Sequence, residues 1–211
     1  RGLSHGAVAA AGLAVVPSGP NLLALNAETG EPAWLADLEG PIDAQPVSDG
    51  DRVFAGTRKG DLFALNAADG EELWKRGGFG GWLAFAIDGD RLFAVDRGQG
   101  GSSDASELGQ PVREGDRGGA LFLIDTAEAR PLWSSGLAAT NASLPFVDGD
   151  RVWLGFSNVV VPFDAATGKP DLAAGFTTGR NALGTPTAAK DAVAFGNLDG
   201  HLYVHDRTTG R

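Results

Sequence analysis

Tryptophan returns along this chain on a period of about forty residues. "LLALNAETGEPAW" ends at Trp34 and "LFALNAADGEELW" at Trp74, forty residues later. "LFLIDTAEARPLW" ends at Trp133, "VPFDAATGKPDL" puts Leu172 in the corresponding place, and "LYVHDRTTGR" reaches Arg211, three residues short of the next. Such a period restricts the chain to a repeat architecture, because one unit can bury its apolar face only against its neighbours. Within each unit, short runs of apolar alternation are broken by Gly and Asp turns, which marks successive β-strands. Sustained 3.6-residue periodicity is lacking, so few helices are expected. About four short strands per unit predict an all-β fold, a β-propeller of four-stranded antiparallel blades. The five repeats fall at roughly 1–38, 39–78, 79–137, 138–176 and 177–211.

Composition narrows the functional classes. The net charge of −10 would be repelled by nucleic acid or an anionic lipid surface, so neither is expected as a partner. Cysteine is absent, which excludes disulfides, zinc–thiolate sites and a cysteine nucleophile. Methionine is absent too, so Arg1 is expected to arise by processing or truncation, with a signal peptide removed. No apolar run approaches the ~18 residues of a membrane span, which predicts a peripheral rather than an integral relation to any membrane.

"DGDR" occurs at Asp49–Arg52, Asp88–Arg91 and Asp148–Arg151. Two carboxylates flanking a glycine resemble the start of a calcium loop, but the further ligands and the closing glutamate of an EF-hand are missing. Each copy lies between two apolar runs, so a hairpin is expected, with positive φ at both central residues and the arginine pointing outward. Trp34, Trp74 and Trp133 are expected to lock each blade against the next, and Leu172 to do so with less area. Thr-Gly or Asp-Gly turns precede these positions, except at Glu128-Ala129, where a strained or reshaped turn is expected.

"ALNAETGEPAW" resembles the pyrroloquinoline-quinone-type propeller repeat, Ala-x-Asp-x-x-Thr-Gly-x-x-x-Trp. The likeness covers nearly the whole chain as five copies. It implies that the chain is part of a larger seven- or eight-bladed ring, completed by missing chain or by another strand. The repeat occurs in catalytic quinoproteins and in many non-catalytic envelope proteins, and the non-catalytic branch is favoured, with no cofactor. In quinoprotein alcohol dehydrogenases a similar loop supplies a glutamate to calcium beside the quinone, and "GSSDASELG" puts Glu107 at the matching place. That likeness implies pyrroloquinoline quinone and calcium as the alternative cofactors. The vicinal cysteine pair of those enzymes has no counterpart here.

Glu107 lies in an insertion of about twenty residues, within 97–119 of the third repeat, on the face expected to carry the blade-to-blade loops. On the same face, Asp43, Trp82, Asn141 and Asn181 mark the expected starts of the innermost strands and are the further candidate binding residues. His201 and His205 stand ~13 Å apart along one strand, too far to chelate one metal. The leading expectation is a non-enzymatic binding or scaffolding propeller of the cell envelope, extracytoplasmic, docking protein partners through loops on one face. The alternatives are a ligand-sensing domain of a signalling protein and a fragment of a quinone- and calcium-dependent dehydrogenase.

Overall fold

Alternation of buried and exposed side chains along short strands builds five antiparallel sheets, one after another. The computed structural model describes residues 6–97, 108–111, 119–137, 139, 141–179, 182 and 184–211. Blade 1 holds β1 (Val8–Ala10), β2 (Leu13–Ser18), β3 (Asn21–Asn26) and β4 (Pro32–Asp37) in that order. Blade 2 holds β5 (Val47–Ser48), β6 (Arg52–Gly56), β7 (Leu62–Asn66) and β8 (Glu72–Arg76). Blade 3 holds β9 (Leu83–Asp88), β10 (Arg91–Asp96), β11 (Gly119–Asp125) and β12 (Pro131–Leu137). Blade 4 holds β13 (Phe146–Asp148), β14 (Arg151–Phe156), β15 (Val159–Asp164) and β16 (Phe176–Thr177). Blade 5 has three strands, β17 (Thr187–Ala189), β18 (Ala192–Gly196) and β19 (Leu202–Asp206). The fold is a β-propeller, without a helix among the described residues.

Three of the innermost strands are shorter than the apolar pattern suggests, and proline sets their length. Only β9, whose "LAFAID" has no proline, runs through six residues from beside Trp82. Pro46, Pro145 and Pro186 offer no N–H to the ladder, and β5, β13 and β17 begin just after them. Upstream of the first two prolines, single bridges remain at Ile42↔Thr57 and Ala142↔Phe156.

The core lies between sheets rather than within them. Four apolar clusters fill the four seams, each drawing from both flanking blades. In the seam between blades 1 and 2, Val15, Leu22 and Ala24 meet Val53, Phe63 and Leu65. Indoles extend these clusters outward. Trp34 Nε1 donates to Ala67 O at 3.0 Å, Trp74 Nε1 to Thr126 O at 2.9 Å and Trp133 Nε1 to Ala165 O at 3.2 Å, in each case on the following blade. A Cβ on Gly70 or Gly168 would stand 2.6 or 2.4 Å from the indole of Trp34 or Trp133, so the turn glycine leaves room for the ring.

Leu172 does not take this place. Pro170 and the Asp171 carboxylate, which accepts the N–H groups of Ala173 and Ala174, turn the segment out of strand geometry. Leu172 is 63% exposed. Ala129, by contrast, keeps the turn of the other blades, with its N–H on Asp125 O at 2.9 Å, but at φ 57°. A left-handed alanine costs roughly 1 kcal/mol. Ala129→Gly is therefore expected to raise the unfolding free energy by about 0.5–1 kcal/mol in urea titrations.

The DGDR hairpins also differ from expectation. Asp88 pairs with Arg91 and Asp148 with Arg151, leaving Gly-Asp as the two-residue loop. Only the glycine has positive φ, 60° at Gly89 and 64° at Gly149, the pattern of a type II′ turn. The arginines do not point outward either. Arg52 Nη1 donates to Thr126 O at 2.8 Å, Arg91 Nη2 to Gly149 O at 3.0 Å and Arg151 Nη1 to Arg207 O at 2.7 Å, each on the next blade. The motif ties blades together through charge-assisted bonds, partly buried at Arg52 and Arg151 and exposed at Arg91.

In the other hairpin at this end, an Asn or Asp side chain caps the turn. Asp125 accepts the N–H groups of Glu128 and Ala127, Asp164 the hydroxyl and N–H of Thr167, and Asp206 the N–H groups of Thr209 and Thr208. These bonds hold all three carboxyls below the usual carboxylate range. Depressed pKa values contribute stability that is present above the unfolded values, near 4, and lost as pH falls through the folded ones. The urea midpoint is accordingly expected to drop between about pH 5 and pH 3. Asp164→Asn keeps an acceptor without a titrating group, as Asn26 and Asn66 do, and should flatten part of that drop.

Candidate docking face

The face opposite the DGDR hairpins carries the loops between second and third strands and the blade-to-blade connections. On it the loop from Thr57 to Asp61 of blade 2 meets the connection from Gly78 to Trp82 of blade 3 backbone to backbone. Phe79 N–H donates to Gly60 O at 3.2 Å, and a Cβ on Gly60 would fall 1.9 Å from Phe79 O. A Cβ on Gly81 would stand 2.7 Å from Arg58 O. Both glycines have positive φ, and Trp82 follows them into the left-handed region at 58°. For a bulky side chain that backbone is strained, and strain of this kind gathers at functional sites.

The strained residue presents its ring to a cation. The Arg58 guanidinium lies 5.2 Å from the Trp82 ring centroid, over its face. The same guanidinium makes a forked ion pair with Asp43, Nε to Oδ2 and Nη2 to Oδ1, the second at 2.9 Å. Asp43 is nearly covered, whereas Arg58 and Trp82 are about half exposed. The hydrogen bond that Arg58 donates to Asp43, and then the carboxylate's charge, raises the Arg58 pKa, so the cation persists at any physiological pH. An ion pair this exposed adds little stability. Its effect is positional, because the buried carboxylate fixes the guanidinium beside the indole. Nearby, Lys75 Nζ donates to Glu39 at 3.0 Å and lies 3.6 Å from Asp61, and the bond to Glu39 raises the lysine's pKa.

Asp43 and Trp82 thus meet through Arg58, a residue the sequence did not single out. Its only signal is "TRKG", two adjacent cations in an acidic chain where a turn is expected. Asn141 stands in blade 4, partly buried, one residue before the Ala142↔Phe156 bridge, and is not part of this group. Glu107 and Asn181 lie outside the described residues. A second polar group occupies the same face of blade 5. Tyr203 donates its hydroxyl proton to Asp199 at 2.6 Å and accepts from Gly179 N–H at 2.9 Å, and the Tyr203 bond is the main cause of the lowered Asp199 pKa. At the hairpin end, the innermost strands enclose a cleft of about 560 Å³ lined by Val8, Val47, Ile87 and Phe146.

The family model described as outer membrane protein assembly factor BamB matches residues 1–81 and 78–211. The chain belongs to that family. Its repeats are of the pyrroloquinoline-quinone type. A BamB from Vibrio cholerae serotype O1 is 28% identical over 194 residues, 90% of this chain and 48% of the relative. A quinoprotein ethanol dehydrogenase from Pseudomonas putida is 34% identical over 105 residues, 45% of this chain and 17% of the enzyme. The chain thus spans less than half the length of either curated relative. Among solved structures, BamB from Moraxella catarrhalis is 21% identical with a TM-score of 0.69, over 98% of this chain and 59% of that one. A quinohemoprotein alcohol dehydrogenase from Comamonas testosteroni is 17% identical with a TM-score of 0.74, over 99% of this chain and 42% of that one. Both likenesses concern the fold.

The dehydrogenase likeness raises the question of a quinone–calcium site. Among the described residues, no three His, Asp or Glu side chains converge as a metal site would require. Asp43, the carboxylate nearest the strained tryptophan, is already committed to Arg58. The described donors of this BamB-family chain do not fit such a group.

Proposed function

We propose that this chain is a non-enzymatic docking propeller of the cell envelope, extracytoplasmic and peripheral, which holds protein partners on its loop face. Membership of the BamB family over the whole chain carries this reading. The Asp43–Arg58–Trp82 group supports it, since a half-exposed tryptophan and arginine are the side chains that dominate binding energy at interfaces. Rigid blades present them at little entropic cost, and the acidic surface favours partners with basic patches.

Trp82→Gly suits a φ of 58° and removes the indole without straining the backbone. With a photo-crosslinking residue in place of Arg58, envelope fractions are expected to yield an adduct with an outer-membrane assembly component. The same residue in place of Asp90, on the hairpin face, should yield none. Trp82→Gly should lower the folded amount of outer-membrane barrel proteins in cells without lowering the melting temperature of the purified chain. Adducts equal at both positions, or barrel levels unmoved by Trp82→Gly, contradict the reading. Saturable, calcium-dependent quenching of tryptophan fluorescence by the quinone would favour the dehydrogenase branch instead.

A further inference from the structure

The innermost strand of blade 3 departs from its counterparts at one register. Aligned on their hairpins, Pro46, Pro145 and Pro186 stand three residues before Asp49, Asp148 and Ala189, and Phe85 stands three before Asp88. The prolines precede strands of two or three residues, whereas β9 runs unbroken for six. Native sheets blunt their open edges with proline and with short strands, because an unpaired row of N–H and C=O groups recruits further chain. Blade 3 lacks that protection. Hydrogen-bond parity shows which groups of β9 are open. A two-residue hairpin makes Asp88 and Arg91 a hydrogen-bonded pair, so Ala86 and Ala84 also bond β10, opposite Phe93 and Val95. Leu83, Phe85 and Ile87 therefore turn their N–H and C=O groups away from β10. Because β9 is the first strand of its sheet and pairs with β10 alone, those groups face the channel.

The cleft of about 560 Å³ at the hairpin end lies along this edge. Ile87 and Asp88 of β9 form one wall, with Gln45 and Val47 from blade 2, Phe146 from blade 4 and Val8 from blade 1 around it. β9 is flanked by β5 and β13, so four consecutive blades supply the walls, away from the outer side of blade 5. Among the described residues that line the cleft only Asp88 is charged, and it is already paired with Arg91.

We propose that the channel edge of β9 binds an extended polypeptide segment of a partner, apolar in its middle, as an added strand of blade 3. Three observations converge on that class. The open groups are backbone groups at strand spacing, and each of Leu83, Phe85 and Ile87 can exchange two bonds with an added antiparallel strand. A helix has already used the groups such pairing needs. The cleft leaves room beside the second half of the edge, and its neutral, largely apolar walls suit apolar side chains rather than charged ones. The site is separate from the loop-face group around Arg58 and does not depend on the docking reading.

The probe is a capped peptide with the sequence of β10, Arg-Leu-Phe-Ala-Val-Asp, which already matches the other edge of β9. Titrated into the purified chain by calorimetry, it is expected to bind saturably with a Kd at or below about 0.1 mM, and its fully N-methylated form should not bind. Phe85→Pro gives blade 3 the proline of the other blades and removes one outward N–H, whereas Phe85→Val loses the same ring and keeps the N–H. Ile87→Pro and Ile87→Val repeat the comparison at a side chain that is only partly buried. Each proline variant, with the near-ultraviolet dichroism of a folded chain, should bind about tenfold or more weakly than its valine counterpart. A photo-crosslinking residue in place of Gln45, on the cleft wall, should capture the peptide. The same residue in place of Leu35 or Leu202, on exposed strands of blades 1 and 5, should not. Absence of saturable binding overturns the proposal, as does equal binding to both folded proline variants and their valine counterparts. Capture from position 35 or 202 in place of 45 overturns it too, because the peptide would then be pairing with another edge.

Discussion

Trp74→Ala is expected to lower the unfolding free energy by about 3 kcal/mol. The indole packs on the apolar cluster between blades 2 and 3, tilts against Phe54 at 5.9 Å and donates to Thr126 O. Truncation removes the apolar contact and also takes one of two donors from that carbonyl, leaving Arg52 alone on it. Trp74→Phe keeps most of the area and loses the N–H, so its cost should be nearer 1 kcal/mol. Leu172→Ala, at the equivalent register in blade 4, should cost no more than about 0.5 kcal/mol because that side chain is already in water. Urea unfolding of the three variants decides the matter. Similar losses from Trp74→Ala and Leu172→Ala would sink the account of the seams given above.

Gly60→Ala should be comparably severe for a reason unrelated to burial. Its φ of 82° is costly for any residue with a Cβ, and that Cβ would collide with a backbone carbonyl, Phe79 O, at 1.9 Å. No rotamer can relieve a clash with backbone, so the two loops must separate, at a cost of about 3 kcal/mol or more. Gly19→Ala supplies the control, with φ 65° and open space around the added methyl, and should cost only about 1 kcal/mol. Thermal melts of both variants test this. Separation of the loops would also draw position 58 away from Trp82, so crosslinking from a residue placed there should fall in Gly60→Ala but persist in Gly19→Ala.

The repeat period made the sheets legible because each unit carries its own alternation and its own turn. Strand order then follows from short antiparallel connections. What the period could not show is what crosses a seam. Arg52 reaches a carbonyl 74 positions away, a separation that mixes one repeat with an insertion, so nothing local in "DGDR" marks its direction. Leu172 was misplaced by counting register alone, when Pro170 and Asp171 beside it carry the chemistry that breaks the strand. At the loop face, Asp43 and Trp82 stood out by position and residue type. Arg58 was hidden in a turn, where an exposed cation is the ordinary outcome. The pairing depends on two loops meeting, and that is a tertiary event.

The arginine and tryptophan links have a direction. Each donor sits on one blade and each acceptor on the blade that follows, never the reverse in blades 1 to 4 among the bonds described above. A unit therefore arrives with a plug on one side and a socket on the other. Gene duplication of such a unit copies both halves at once, and the new copy fits between its parents without any change in either. Chains of this kind can lengthen or shorten by whole blades through single genetic events, while the loops on the opposite face drift toward new partners.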